Sequence, residues 1–552
     1  MQRDYIFPEI EEAISSLLKF CLVDLGIVTS QDIVVEIPKD DSWGDLSTNL
    51  AMRIASEVKK SPKETAEILI PKVKEKLKEF NLNKIIGEVK LAPPGFINFY
   101  LKEDLFINMV KGIVTNGKLE RLNTGKVKRV QLEFVSANPT GPLSIAHARQ
   151  AAVGDSLARV LKMLGFQVTR EYYNNDEGNQ IDTLGKSVEL RSRELKGETI
   201  TFPEDYYQGE YIISLAKETI DRNLGLVDYK DYAVFAANKI TDIIKKELSD
   251  FGVIFDIWYS QKKLCHSEKI ESVLSLLKEK GFIYESEGAL WFKSTAFGDD
   301  KDRVVVKSDK KYTYLAPDIA YHQDKFKRGF EWVINIWGPD HHGYIPRIKA
   351  AVRALGYNQS AISVIIVQLA TIYRDGKPVA MSTRRGQYIT LREVLDEVGR
   401  DASRFFLLMR RTDSHLDFDL ELAKKQTPEN PVYYIQYAYA RMSGILNNTQ
   451  DTKIELSKID LSLLKEKEEK ELLRLIFQFY YALSVCLRQL DPYPLTAYLQ
   501  SLATAFHRFY DRHRVLGVGE DLTLSRLALI KCLKIVLAEG LDLVGVSKPE
   551  TM

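Results

Sequence analysis

The chain has 552 residues, 45% hydrophobic and 28% charged, with a formal net charge of +1. That composition fits a soluble globular protein and excludes a largely disordered chain, and no apolar run approaches the ~20 residues that span a bilayer. The length implies roughly three to four compact units. A near-neutral total neither announces nor excludes a nucleic-acid partner, because such binding depends on local basic faces. The start, "MQRDYIFPEIEE", is charged early and has no signal-peptide pattern, so a cytoplasmic location is the expectation. Cys21, Cys265, Cys486 and Cys532 form no C-x-x-C pair, which argues against a zinc site and for buried, reduced thiols.

In chain order, residues 1–115 read as a small α+β unit. "PEIEEAISSLLKFCLVDLGI" has helical spacing, "SPKETAEILIPKVKEKL" opens with a Ser-Pro helix start, and "APPGFINFYL" gives a turn and an alternating strand. "RVQLEFV" alternates, Val130, Leu132 and Phe134 against Gln131 and Glu133, which predicts a half-buried strand. "HARQAAVGDSLARVLKMLGF" predicts a helix closed by Gly165, and "FQVTREYY" a second strand, completing a βαβ unit. Residues 190–260 are charged and helical and read as an insertion. Strand-like runs return at "ALWFKS", "RVVVKS", "WVINIWG" and "AISVIIVQLA", the last two as parallel strands covered on both faces. Beyond residue 395 only helices are expected. The fold class is therefore α/β: a Rossmann-type parallel-sheet domain over 116–395, between the N-terminal unit and an all-α C-terminal domain, 396–552.

The stretch "FVSANPTGPLSIAHARQ" joins the first of these strands to its helix. Ligands of parallel sheets bind beyond the carboxyl ends of the strands, and a helix N-terminus offers free N–H groups and a positive dipole to phosphate. Gly141 would permit close approach of backbone to ligand, Pro139 and Pro142 would stiffen the loop, and His147 could donate to an α-phosphate. A capped helix with a structural histidine is equally open on these features alone.

"EFVSANPTGPLSIAHAR" resembles the first signature segment of the arginyl-tRNA synthetases, class I aminoacyl-tRNA synthetases. The tetrapeptide usually written HIGH reads Ser144-Ile145-Ala146-His147 here, with serine in the first histidine slot. "WGDLSTNLAM", "EYYNNDEGNQI", "YLAPDIAYHQDK", "WGPDHHGYIPRIKAA", "NPVYYIQYAYARMSGIL", "LATAFHRFYDRHRVL" and the ending "KPETM" extend the resemblance along nearly the whole chain. "DGKPVAMSTRRG" occupies the place of the second signature, KMSKS, with Met381 and Ser382 matched and both lysine slots changed, to Ala380 and Thr383. Arg384 is the chosen substitute cation, with Arg385 and Lys377 as rivals.

The resemblance implies ATP-dependent attachment of L-arginine to its cognate tRNA through arginyl-adenylate. It implies His147, Ser144 and Arg384 as catalytic groups, and Pro139, Thr140, Gly141, Met381 and Ser382 beside them around ATP. It places Glu133, Ser136, Asn138, Tyr314 and Asp318 around arginine. Their oxygens suit a guanidinium, a planar fork of five donors. Tyr314 and Asp318, four apart, share a face if that segment is helical. Tyr433, Tyr437, Arg441, Arg508 and Arg512 are implied to contact tRNA, although an aromatic stripe can equally be core. Mg²⁺ is expected to arrive with ATP and no protein-bound metal is expected; His341 and His342 read as neighbours of ATP rather than metal ligands. A monomer without membrane contact is expected. Two rivals stand: another class I synthetase, such as one for cysteine, against which the missing zinc-type cysteines argue, and a non-catalytic relative that binds RNA or senses arginine.

Overall fold

The computed structural model describes residues 7–122, 128–379, 388–449 and 459–552. At the centre lies a five-stranded parallel sheet in the order Ile362–Ile366, Trp332–Trp337, Arg129–Glu133, Gln167–Asn174, Ile257–Ser260. The chain builds outward from Arg129–Glu133 in one direction, then returns to its other side with Trp332–Trp337. The order thus reverses between these two strands, which opens a crevice at their carboxyl ends.

The strand Arg129–Glu133 is not half-buried as its alternation suggests. It is central, and Val130, Gln131, Leu132 and Glu133 are all buried. The helix Ile145–Met163 presses on the Phe134 side, and the helix Leu315–Lys327 lies on the Glu133 side, where Lys325 meets the carboxylate. The polar face of the alternation therefore meets a charged helix instead of water. Close approach of Ile145–Met163 depends on Gly154: a Cβ there would lie 2.3 Å from the Phe134 ring. Gly154→Ala is expected to destabilise the protein by about 1–3 kcal/mol through overpacking, read by denaturant unfolding; an unchanged midpoint would contradict this packing.

The insertion consists of the helices Asn179–Leu195, Glu210–Asp221 and Tyr229–Asp250. Its expected end at residue 260 is corrected, because Ile257–Ser260 pairs with Gln167–Asn174 as the edge of the main sheet. "ALWFKS" and "RVVVKS" do form strands, but in a separate antiparallel sheet with Ile283–Ser286. Strands also continue past residue 395: Leu416–Asp419 pairs in parallel with Ala370–Arg374. Ile362–Ile366, the other edge of the main sheet, is only partly covered.

The N-terminal helix Pro62–Lys76 packs on an antiparallel sheet and Phe7–Asp24 packs against that helix, and Ser61 forms the capping box that the Ser-Pro start announces. The C-terminal part contains the long helices Pro431–Asn447, Lys467–Gln489, Tyr493–Arg512 and Glu520–Val544. A fully buried Arg404 ties the C-terminal part to the sheet domain, donating to Asp155 of the helix Ile145–Met163, to the Val544 carbonyl and to the Phe251 carbonyl. Cys21, Cys486 and Cys532 are buried as expected, whereas Cys265 is half-buried.

Candidate active site

A cavity of about 790 Å³ opens at the crevice where the strand order reverses. Glu133, Ser136, Asn138, Ser144, His147, Tyr314 and Asp318 all line it, so the structure gathers residues spread over nearly two hundred positions into one space. Val135 and Ser136, directly after the strand, have φ of 68° and 40°. A β-branched residue in that region is strained, by about 1–3 kcal/mol per residue. The sharp turn sends the chain from the sheet into the cavity wall.

The acidic end is built on the helix Leu315–Lys327, which begins immediately after Tyr314. Tyr314 and Asp318 do share its cavity face, with Tyr314 80% exposed at the rim. Tyr344 donates to Asp318 Oδ2 at 2.6 Å. Burial pushes the Asp318 carboxyl up to about 7, the Tyr344 hydrogen bond opposes this, the nearby Glu133 charge adds to it, and Lys325 opposes it. Glu133 is already engaged: Lys325, itself fully buried, donates to it at 2.5 Å and also to Asn335 Oδ1 at 2.9 Å. Asn335 Nδ2 in turn donates to His322 Nε2 at 2.9 Å, and His322 Nδ1 donates to the Asp318 carbonyl at 2.8 Å. This fixes His322 as the Nδ1–H tautomer, and burial holds its pKa down to about 3, so it is neutral. Ser136 bridges Glu133 and the Tyr173 amide, and Asn138 donates to Gln180 at 2.6 Å.

Lys325, His322, Asn335 and Tyr344 were not among the site residues the sequence suggested. The first two carried a signal: Asp318, His322 and Lys325 are four and three apart, one stripe of a helix. No comparable pattern marks Asn335 or Tyr344.

The opposite end is the first turn of the helix Ile145–Met163. The Ser144 backbone N–H donates to His147 Nδ1 at 3.2 Å, and the Ser144 hydroxyl lies 3.1 Å from the same nitrogen. Nδ1 is thereby an acceptor and the proton sits on Nε2. Burial lowers the His147 pKa to about 4, so the ring is neutral near pH 7 with one N–H to offer. Pro139, Thr140 and Gly141 do not line the cavity; Thr140 and Gly141 meet tyrosines of neighbouring elements. Gly141 eases that packing, since a Cβ would lie 3.2 Å from the Tyr211 hydroxyl. His341 lines the cavity and packs against Trp337 with centroids 5.9 Å apart; His342 does not line it. Arg384, Met381 and Ser382, with Arg385, lie outside the described residues, while Lys377 is exposed in a short strand.

In the C-terminal part Tyr433 and Tyr437 do fall on one stripe, with rings 6.2 Å apart and 8° from parallel. Arg441 lies over Tyr437 at 4.7 Å and over Tyr510 at 4.5 Å. Arg508 and Arg512 are less free than their sequence suggests, because each is paired with an acid, Glu471 and Glu468.

The domain that carries the parallel sheet and its switch-point cavity is that of a class I aminoacyl-tRNA synthetase, as the family match over residues 109–417 shows. Residues 8–101 match the arginyl tRNA synthetase N terminal domain, 109–417 the class I (R) tRNA synthetase catalytic domain, and 435–552 the DALR anticodon binding domain. An arginine–tRNA ligase of Syntrophotalea carbinolica is 46% identical over 535 residues, covering 95% of this chain and 96% of its own. One from Listeria welshimeri is 45% identical over 540 residues, covering 96% of each. The Thermus thermophilus arginyl-tRNA synthetase structure superposes with a TM-score of 0.79 at 21% identity, over 98% of this chain and 100% of that one. The chain belongs to the arginyl-tRNA synthetase family.

Proposed function

We propose that the chain attaches L-arginine to its cognate tRNA with ATP, through arginyl-adenylate, and that the cavity at the sheet's rim is where this happens. The observation that carries the reading is the pairing, in one cavity, of a carboxyl end at Asp318 with a helix tip at His147. Arginine enters with its guanidinium on Asp318 and its carboxylate toward the helix tip. Glu133, held by Lys325, adds negative potential behind Asp318, and Tyr314 closes over the ligand from the rim. Ser136 and Asn138 face the ammonium and carboxylate end. A site of buried acceptors rejects an analogue without the fork, because those acceptors would be stranded.

In the first step an arginine carboxylate oxygen attacks the α-phosphorus of ATP in line. The new O–P bond forms as the bond to the bridging β-oxygen breaks, and pyrophosphate leaves with its electron pair. His147 Nε2–H donates to the α-phosphate as charge builds, and the Ser144 hydroxyl is a second donor. Arg384 neutralises the departing pyrophosphate, with Met381 and Ser382 beside it. In the second step a ribose hydroxyl at the tRNA terminus attacks the acyl carbon and AMP leaves. No protein nucleophile takes part; positioning and charge carry the catalysis. Among the described residues no group of three or more His, Cys, Asp or Glu is placed to hold a metal, and Mg²⁺ arrives with the ATP substrate.

The Tyr433–Tyr437–Arg441 ladder is a stacking platform for unpaired anticodon bases, with Arg508 and Arg512 serving the backbone once released from their acids. Residues 1–115 touch the tRNA elbow, 116–395 hold the chemistry and 396–552 read the anticodon. The protein works as a cytoplasmic monomer; no helix among the described residues is long and apolar enough to cross a membrane.

The raised Asp318 pKa sets the pH dependence. Below about 7 the free carboxyl is protonated and must lose its proton before a guanidinium binds. kcat/KM for arginine is expected to fall about tenfold per pH unit below that value and to level off above it. The Asp318 contribution to stability is present below the ordinary carboxylate value and is lost as pH rises through about 7, so arginine should raise the melting temperature more at pH 8 than at pH 6. Arginine-dependent pyrophosphate exchange, run across a panel of amino acids with and without tRNA, tests the assignment. Exchange with another amino acid would replace the substrate, and arginine binding without exchange under any condition would make the chain a sensor.

A further inference from the structure

We propose that Tyr211 and Tyr388 are positioning residues that hold the first signature loop, and through it Ser144 and His147, in register with ATP. This rests on the reading of the cavity given above. The segment from Asn138 to Leu143 contains Pro139 and Pro142, which have no N–H, so it can form little backbone ladder of its own. Its shape is set from outside. Tyr211, in the first turn of the insertion helix Glu210–Asp221, donates its hydroxyl to the Thr140 carbonyl at 2.8 Å. Tyr388, remote in sequence, donates to the Pro142 carbonyl at 2.9 Å. Gly141 sits between them, and a Cβ there would be 3.2 Å from one hydroxyl and 3.4 Å from the other.

The grip continues toward the catalytic turn. The Leu391 N–H donates to the Leu143 carbonyl at 2.7 Å, and Ser144 bridges to Thr390. Neither tyrosine lines the cavity. They act only through the loop. The acidic end of the cavity is carried by a different element, Leu315–Lys327. Asn138, where the segment meets the amino acid, is held separately by Gln180 at 2.6 Å, so loosening Thr140 to Leu143 should disturb the phosphate end and largely spare arginine recognition. That split separates positioning from a general loss of structure, which would weaken both ends together.

The test is Tyr211→Phe and Tyr388→Phe, singly and together, with Gly141→Ala as an independent way to crowd the Tyr211 hydroxyl. Arginine-dependent ATP–pyrophosphate exchange is measured with cognate tRNA present. Each substitution is expected to lower kcat about tenfold, since displacement of a reacting group by about 1 Å can cost up to a hundredfold. The arginine KM should stay within about twofold of the unmodified protein. The double variant should lose less than the product of the two single losses, because both hydroxyls hold one loop. Unaltered kcat in both single variants, or an arginine KM that rises in step with the fall in kcat, would overturn the inference. If the unmodified protein itself gave no exchange, the functional reading would fail first, so the two failures are told apart by the wild-type rate.

Discussion

Asp318→Asn is expected to lower kcat/KM for arginine about 10²–10³-fold, almost entirely through KM. The substitution keeps the shape, and an amide oxygen can still accept from Tyr344, which donates to Asp318 at 2.6 Å. What it removes is the charge opposite the guanidinium. Truncating one partner of a buried, hydrogen-bonded charge pair costs about 2–5 kcal/mol. Glu133 cannot take its place, because its carboxylate is already committed to Lys325 at 2.5 Å. The acid limb of the pH profile, assigned to this carboxyl, should vanish in the variant. Steady-state kinetics across pH decide the matter; an arginine KM unchanged by Asp318→Asn would remove Asp318 from the guanidinium site.

His147→Ala is expected to act on the other parameter, lowering kcat about 10²–10³-fold with the arginine KM nearly constant. That is the scale of losing one preorganised donor to developing charge. The variant also deprives the Ser144 N–H of its acceptor, at 3.2 Å in the intact protein, which costs about 0.5–2 kcal/mol of stability. The ring is neutral far below the working pH, its pKa lowered to about 4 by burial, so His147 should contribute no limb to the profile above pH 5. A rise in arginine KM with kcat preserved would place His147 in amino-acid binding instead.

Much of the site was legible because its residues lie in continuous segments with strong local signals. The strand, loop and helix from Arg129 to Met163 follow from alternation, a proline-bounded turn and helical spacing. Burial was harder to read. An alternating strand at a sheet's centre looks like one at its edge, since Gln131 and Glu133 are polar whether they meet water or a charged helix. Leu416–Asp419 escaped because four residues are too few for a periodic pattern, and its partner Ala370–Arg374 is far away in sequence. The clasp on Thr140 and Pro142 is likewise invisible locally, since Tyr211 and Tyr388 are brought there only by the tertiary fold.

The most direct measurement is a crystal structure with L-arginine and a non-hydrolysable ATP analogue bound. The account predicts a guanidinium nitrogen within about 3 Å of an Asp318 carboxylate oxygen and His147 Nε2 at hydrogen-bond distance from the α-phosphate. Arginine seated elsewhere in the cavity, with Asp318 still bonded only to Tyr344 and the triphosphate away from the helix tip, would contradict it.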